Sequence, residues 1–577
     1  MPILSTIVWL PILSLGLLLW VPARYAGVFR WIALGTTLCQ GLGIGWVARG
    51  LQPVGLDTYA TTQGLQFVER WAWMRLPLGS SGVLSLDYFL GVDGFNIGLL
   101  LLCGCILTVG VITSWPILTY AKAYFGLYLL LDTLLLGSLV ALDFLLFYIF
   151  FEATLIPIYF LIGFWGGARR TYAAQTFLLY TALGTVLILF ILIALGLSVY
   201  DPAATALQAG LVAQQSMVTS EDINQVQVML QTGQIAPQDV VHSLSLPLMT
   251  NPAHCIPHSI LGGEYGQYLW GQPMRWIAFG VLTLGWLIKL AIVPWHTWLP
   301  IAHVQAPTPI SILLASILLK IGGYGLLRTA YSIFPEGALH YSLWMGVLGL
   351  ISMLYAGLNA LGIQDLKGKV AYASIAHMGL FLIGLASLSH EGICGALYQM
   401  VSHGLTAALL FLVVGVLEAR TQDRDLANYS GLAKPMPSYT VVAMIVFLAA
   451  MGLPGFSGFI AELLILLGVF KSAYTPAGLP IWIGLGAILG LFLNTTYWIW
   501  TIRCMFWGDF SLRFHTWRPL LRDLSAREYV VLIPLVVLLG VLGVFPQGLL
   551  GLFEGTVRGW IEMVWEVGQE GLEVVAG

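Results

Sequence analysis

Charged residues are scarce in this sequence. Aspartate, glutamate, lysine and arginine make up 9% of its 577 residues, whereas hydrophobic residues make up 59%. A soluble globular domain carries roughly 25% charged residues, and no soluble core could absorb so much apolar surface. We therefore predict that the chain is embedded in a lipid bilayer. The net charge of −3 and the absence of a basic run exclude nucleic acid as a predicted partner.

Cofactor and metal motifs are also missing. The six cysteines show no CxxC pair and no ligand spacing, so packing is their predicted role. No GxGxxG sequence follows a predicted strand, and we predict no NAD site, redox centre or other cofactor in this chain. A metal site at His254, Cys255 and His258 is an alternative that we do not favour, because the spacing is not a standard motif and a fourth ligand is not evident.

Long apolar runs are abundant instead. Runs of about 20 residues predict fourteen transmembrane helices in an all-α polytopic membrane fold. The predicted helices lie at residues 3–21, 28–47, 95–115, 121–140, 143–165, 175–199, 276–299, 307–330, 340–362, 370–389, 393–417, 439–470, 480–506 and 529–551. Hydrophilic stretches interrupt them near 49–92 and 200–275, and a short tail from 552 is predicted to form an interfacial helix.

The basic residues outside these helices are distributed unevenly. Loops that follow odd-numbered helices carry fifteen lysines and arginines, and the opposite side carries seven. Cytoplasmic loops are enriched in basic residues, so both termini are predicted to face away from the cytoplasm or stroma. The hydrophilic stretches near 49–92 and 200–275 then lie on that same non-cytoplasmic side.

We single out six ionisable side chains within the predicted helices as candidate proton carriers, each on a different helix. A charge at the bilayer midplane costs roughly 2.5–3.5 kcal/mol on insertion scales. Structural salt bridges would explain a single pair, but six such groups favour a proton relay, because histidine both accepts and donates protons and a lysine sheds its proton when a neighbouring carboxylate moves away. The six residues are Glu152, Lys289, Lys320, His377, His403 and Glu462.

Prolines lie close to two of these charges. Pro294 follows Lys289 by five residues, and Pro454 precedes Glu462 by eight within a glycine-rich segment. Proline interrupts a helix, so helices 7 and 12 are predicted to be broken, as in transporters built from inverted repeats. The predicted divisions are residues 1–120 (helices 1–3), 121–330 (first five-helix repeat, helices 4–8, with the insertion at about 200–275), 331–506 (second repeat, helices 9–13) and 507–577 (helix 14 and the tail).

Six motifs carry a resemblance to a known family. The sequence resembles the antiporter-like membrane subunits of complex I and of the Mrp antiporters over nearly its whole length, in the segments Gly91–Asn96, Ala141–Glu152, Pro294–Thr308, Leu318–Arg328, Ala371–Leu380 and Gly452–Glu462. Within the family it is most similar to the M-type branch (chain 4 in the NAD(P)H-quinone oxidoreductase naming), because other branches usually have lysine where Glu462 stands. One departure is Thr176, which occupies a position where the family often has lysine.

The resemblance implies a role for each buried ionisable residue. Glu152 and Lys289 would form a coupling pair, facing each other directly or through one water. Lys320 would be the central proton carrier, His377 and His403 would link the two halves, and Glu462 would be the carboxylate on the exit side.

The implied function is proton translocation within an NAD(P)H- or ferredoxin-linked quinone oxidoreductase, coupled to quinone reduction elsewhere in the complex. The expected partners are other membrane subunits, including other antiporter-like ones, together with the lipid bilayer and protons. A thylakoid membrane of cyanobacterial or chloroplast type is preferred to a bacterial plasma membrane.

Two other functions remain open at this point. The chain could be a subunit of an Mrp-type sodium/proton antiporter, although Glu462 argues against that branch. It could also be a membrane subunit of a carbon-concentrating or hydrogenase module. The insertion at 200–275 is unusually long for the family, and we expect it to rest on a neighbouring subunit.

Overall fold

The structure is a computed structural model that describes residues 2–55, 64–213, 219–262, 268–475, 478–510 and 521–576. In chain order its first elements are α1 (Ile3–Trp20), α2 (Ala26–Gly50), β1 (Gln66–Pro77), β2 (Val83–Val92), α3 (Ile97–Thr113), α4 (Ala121–Val140), α5 (Phe144–Ala153), α6 (Leu155–Trp165), α7 (Arg170–Ser198), α8 (Pro202–Gln208), α9 (Ser220–Gln231), β3 (Val241–Ser243), α10 (Leu246–Met249), β4 (Tyr268–Leu269) and β5 (Gln272–Pro273).

The remaining elements are helices. They are α11 (Met274–Leu290), α12 (Trp298–Gln305), α13 (Thr308–Tyr331), α14 (Pro335–His340), α15 (Ser342–Gly362), α16 (Leu366–Ala386), α17 (His390–Thr421), α18 (Pro437–Ala450), α19 (Ser457–Ser472), α20 (Ile481–Phe506), α21 (Ala526–Val544) and α22 (Gln547–Ala576).

The predicted helical membrane fold is confirmed. Within the described residues, eleven helical stretches are long and apolar enough to cross a bilayer, with α5 and α6 together forming one of them. The three other predicted positions hold the shorter helix α3 and the two pairs α11–α12 and α18–α19. Both predicted breaks are therefore present, while the exact count of fourteen spans and the division of the chain into repeats stay predictions.

Helices α13, α16 and α17 form the buried centre of the bundle, and α1, α2, α7, α20 and α21 present exposed apolar side chains where lipid would lie. Glycines allow close helix packing: a Cβ added at Gly285 on α11 would lie 2.7 Å from the Gly184 carbonyl oxygen on α7. Small residues at such crossings let helix backbones approach each other, which is how membrane helices gain packing energy.

A small sheet on the non-cytoplasmic side was not predicted. Strands β1 and β2 pair antiparallel, and β3 from the inserted segment adds to β2 in parallel at Val83 and Val241. Arg70 on β1 reaches Asp87 at 2.7 Å and Asp201 at 3.0 Å, joining the hairpin to the insertion. The inserted segment is thus held on its own chain, and its expected contact with a neighbouring subunit stays a prediction.

Two further sequence expectations concern short helices. The predicted amphipathic helix of the insertion is α9, whose first turn is closed by reciprocal hydrogen bonds between Thr219 and Asp222. Helix 14 ends at Val544, earlier than predicted, because Pro546 cannot continue it. The tail helix α22 consequently starts at Gln547; its interfacial position stays a prediction.

Candidate functional site

The break between α11 and α12 is stabilised by side chains of neighbouring segments. Pro294 interrupts the helix and frees backbone groups that lipid could not satisfy. The Val293 amide donates to Ser352 Oγ on α15 at 2.7 Å. The Ile288 carbonyl accepts from Trp298 Nε1 at 2.9 Å. These bonds let an irregular backbone persist at membrane depth, directly beside a predicted charge carrier.

Lys289 lies at the end of α11, just before this break, and is 3% exposed. Its Nζ has no hydrogen-bonding partner within the described structure and lies 4.5 Å from the centroid of the Phe151 ring. Glu152 is close enough to act on it electrostatically, but no ion pair within 4.0 Å joins the two among the described residues. The predicted direct contact is therefore absent, and the Lys289 ammonium instead faces the Phe151 ring; a water-mediated contact stays a prediction.

Glu152 lies beside a helix interruption that the sequence analysis missed. Helix α5 ends at Ala153 and α6 begins at Leu155. Pro157 has no N–H with which to bond the Ala153 carbonyl, so the ladder breaks one residue after Glu152. Pro157 was the sequence feature that could have indicated this interruption. Glu152 Oε2 is buried and has no hydrogen-bonding partner among the described residues, so its carboxylate lies beside an interrupted turn with one oxygen unsatisfied.

Lys320 makes the most direct contact in the site. It is 1% exposed on α13 and lies 2.6 Å from His403 Nδ1 on α17. Its Nζ also donates to the Ala315 carbonyl at 2.5 Å. That carbonyl lies in the π-helical segment Leu314–Leu318. Such segments occur frequently at functional sites, and here the wide turn directs a backbone acceptor toward the lysine.

His377 continues this cluster. Its ring centroid is 5.0 Å from that of His403. Its Nδ1 accepts from the Gln399 amide at 3.0 Å, and Gln399 precedes His403 by one turn on α17. Lys320, His403 and His377 are thus three of the six predicted residues that the structure brings together. Gln399 was missed, because an amide in a membrane helix carries no distinctive sequence signal.

Glu462 lies on α19 after the second break and is also buried. Gly452 has a φ of 73° there, and a Cβ on it would collide with the Glu462 carboxylate. The freed Ala450 carbonyl at the end of α18 accepts from Asn494 Nδ2 at 2.8 Å. The glycine therefore provides both the left-handed turn and the space that the carboxylate occupies.

The six residues do not form an unbroken chain of contacts. A Cβ added at Gly322 would touch the Lys289 side chain at 3.4 Å. Lys320 precedes Gly322 by two residues and therefore points to nearly the opposite side of α13. Toward Glu462, the connection is a 2.7 Å contact between the Ser402 and Ser457 hydroxyls. Proton transfer over the remaining distances needs water or side-chain movement.

His303 on α12 was missed as a site residue, although it lies within one of the family-like motifs. It is fully buried, its ring stacks on Phe411 at 4.8 Å, and both ring nitrogens lack a protein partner within the described structure. Lys320 and Lys367 are close enough to act on it electrostatically. Lys367 in turn pairs with the partly exposed Glu418 at 2.8 Å. These residues lead from the central cluster toward the predicted cytoplasmic surface.

The predicted alternative of a metal site gains no geometric support. Among the described residues, no group of three or more histidine, cysteine, aspartate or glutamate side chains is placed to hold a metal ion. The Cys255 thiol lies 3.9 Å from Arg275 Nη1, and burial raises its pKa. His254 Nδ1 lies 3.3 Å from the Leu248 carbonyl. Both side chains are engaged within the inserted segment.

The broken helices and their buried charges occur in a chain whose family can be assigned. The NADH:quinone oxidoreductase/Mrp antiporter transmembrane family matches residues 141–237 and 260–482. These segments contain the two broken helices and all six predicted site residues. The chain therefore belongs to this family of membrane subunits.

Its relatives specify the branch. The NADH-quinone oxidoreductase subunit M of Rhodobacter capsulatus is 34% identical over 553 residues, covering 94% of this chain and 93% of the relative. The NAD(P)H-quinone oxidoreductase chain 4 1 of Synechococcus elongatus is 34% identical, covering 95% and 89%. A chain of respiratory complex I from Thermus thermophilus superposes with a TM-score of 0.72 at 26% identity, covering 97% and 100%. The predicted resemblance to the M-type branch is confirmed.

Proposed function

We propose that this chain is a proton-translocating membrane subunit of a quinone oxidoreductase of complex I type. The names of its relatives support this class of complex over a stand-alone sodium/proton antiporter. Electron transfer and quinone reduction would occur in other subunits, and this chain would hold no redox centre of its own. Its partners would be the other membrane subunits of that complex, as in the Thermus thermophilus assembly that it resembles.

The observation that carries the proposal is the contact between Lys320 and His403. Two ionisable groups that are buried in a membrane bundle and lie 2.6 Å apart can pass a proton along one hydrogen bond. Lysine Nζ donates when His403 Nδ1 is unprotonated, and the imidazole can then pass a proton on from its other nitrogen. His377, held by Gln399, is the next group in that direction.

The pair Glu152 and Lys289 would control when protons move. With the Phe151 ring over the ammonium, the carboxylate is held away from direct contact. If the ring swings aside, Glu152 can approach and favour the protonated lysine; if Glu152 withdraws, the lysine releases its proton toward Lys320. Glu462 would receive protons from the histidine cluster by way of the Ser402–Ser457 contact.

His303 would supply the central cluster from the cytoplasmic side. Its two ring nitrogens have no protein partner, so waters can bridge them to Lys367 on one side and Lys320 on the other. We place the chain in a thylakoid membrane of cyanobacterial or chloroplast type. The similarity to the Synechococcus elongatus relative supports this proposal, and the equally similar Rhodobacter capsulatus relative leaves a bacterial plasma membrane as the alternative.

The test is replacement of the central carrier in the whole complex. Lys320→Ala should leave the complex assembled and its membrane subunits in place but abolish quinone-reduction-driven acidification of proteoliposomes, measured with a pH-sensitive dye. Lys320→Arg should also impair it, because arginine effectively never releases its proton. Lys434→Ala, on an exposed loop position, is the matched control and should pump normally. Normal pumping by an assembled Lys320→Ala complex would reject the proposal.

A further inference from the structure

A line of polar residues begins at Lys320 and runs along one face of α13 toward the side predicted to be non-cytoplasmic, although no contact joins Lys320 to Tyr324 within the described residues. Tyr324 and Arg328 follow at intervals of four residues and therefore lie on the same helix face. Arg328 Nε donates to the Tyr324 hydroxyl at 3.1 Å, and its Nη2 lies 2.6 Å from Asp93 Oδ2. The Asp93 carboxylate is completely buried.

Asp93 is held rigidly in the loop between β2 and α3. Its Oδ1 accepts from the backbone amides of Phe95 and Asn96 at 2.9 and 3.3 Å. The Asn96 side chain donates in turn to the Gly91 and Leu139 carbonyls, both at 3.0 Å. One carboxylate oxygen therefore fixes the loop, and the other is left for Arg328. In this ion pair, Asp93 is fixed by the loop, whereas the guanidinium of Arg328 is carried on a long side chain.

Aromatic residues cover the pair from the outside. The Arg328 guanidinium lies 5.1 Å from the Phe95 ring centroid, and Phe95 meets Trp560 edge to face at 5.8 Å. Trp560 on α22 donates from its indole to Ser332 Oγ at 2.8 Å. The C-terminal helix thus closes the end of the polar line that begins at Lys320.

We propose that the Arg328–Asp93 ion pair is a gate that seals a proton outlet running from Lys320 to the non-cytoplasmic side. The closed state is the one observed. Arginine effectively never loses its proton, so Arg328 presents a permanent positive charge that repels protons. This inference rests on the proposed function, because it takes Lys320 as the source of the proton.

Opening needs one proton and no other reactant. The Lys320 ammonium loses a proton, which crosses through water, along the helix face that carries Tyr324, to the Asp93 carboxylate. Protonated Asp93 no longer attracts Arg328, which is free to move, and Asp93 then releases the same proton to the non-cytoplasmic solvent. Arg328 lies in a second π-helical segment, Leu326–Tyr331, and such wide turns mark helix positions where backbone bonding can rearrange.

The rate of passive proton leak reports whether the gate is closed. Whole complexes in proteoliposomes receive an imposed potential without electron donor or quinone, and internal pH is followed with a trapped dye. Arg328→Gln should increase the leak more than about tenfold, the effect of one unit charge acting at about 10 Å with an effective dielectric of about 20. Arg328→Lys keeps the charge and should stay closed. Arg328→Met also removes the charge, serves if Arg328→Gln does not assemble, and should leak likewise, whereas Asp93→Asn removes the carboxylate that carries the proton and should stay closed.

The control and the source of the leak are tested separately. Lys471→Gln breaks an ion pair with Glu391, where the lysine side chain is 66% exposed, and should not leak. Adding Lys320→Ala to Arg328→Gln should abolish the leak if the outlet starts at Lys320. Wild-type leak in assembled Arg328→Gln or Arg328→Met complexes would overturn the gate, even where Lys320→Ala abolishes pumping and so supports the proposed function. A leak that persists without Lys320 would likewise overturn it.

Discussion

Replacing His303 with phenylalanine tests whether this histidine carries protons or only supports the fold. His303 is fully buried and stacks on Phe411, while both its nitrogens lack a protein partner. Each unsatisfied buried polar group costs about 1–3 kcal/mol. Phenylalanine retains the stack and removes both polar groups, while its slightly larger ring can cost about 1–3 kcal/mol in overpacking. The net expectation is a folding free energy that is unchanged or more favourable by about 1–3 kcal/mol.

Proton pumping should fall even though the folding free energy is unchanged or more favourable. If His303 carries protons between Lys367 and Lys320, His303→Phe should reduce quinone-driven pumping strongly while thermal unfolding of the purified complex stays equal or moves to higher temperature. His340→Phe is the control, because His340 is exposed and stacks on Trp276 at 3.8 Å away from the central cluster. Undiminished pumping in His303→Phe would refute the relay, and a large loss of thermal stability would show that the imidazole is structurally required.

Two further predictions concern the second break and the insertion. Gly452→Ala places a Cβ at positive φ, which costs about 1–2 kcal/mol, and this Cβ would also collide with Glu462. The substitution should therefore reduce pumping. Gly540→Ala is the control and should not reduce pumping, because a Cβ at Gly540 meets open space. Burial lowers the pKa of His254, opposed by the nearby charge of Asp201. Its stabilising contribution is therefore present above the unfolded pKa of about 6.5 and lost as pH falls through the lower folded value. The hydrogen-exchange protection factors of residues 219–262, which correct for the slower intrinsic exchange at low pH, should thus fall on acidification, and less so in His254→Gln; an equal fall in both would contradict the assignment.

The broken helices were predictable, but their surroundings were not. Proline and glycine interrupt a helix through local sterics, so Pro294 and the turn at Gly452 could be recognised in the sequence alone. The groups that satisfy the freed backbone are Ser352 and Asn494, which lie far along the chain. Nothing local distinguishes these two from other polar residues in membrane helices, because their role exists only once the helices have packed.

Composition and the length of the apolar runs were enough to predict a lipid environment, a helical fold and the charged residues that are costly to bury. These follow from composition and from hydrophobic run length, which act locally along the chain. Only the tertiary structure decided which charges meet. Lys320 bonds to His403, eighty-three residues away, whereas Lys289 faces the Phe151 ring and forms no ion pair with Glu152 among the described residues. The physical reason is that the orientation of a side chain between helices depends on helix rotation and packing, which hydrophobicity alone leaves free when a helix is apolar all round.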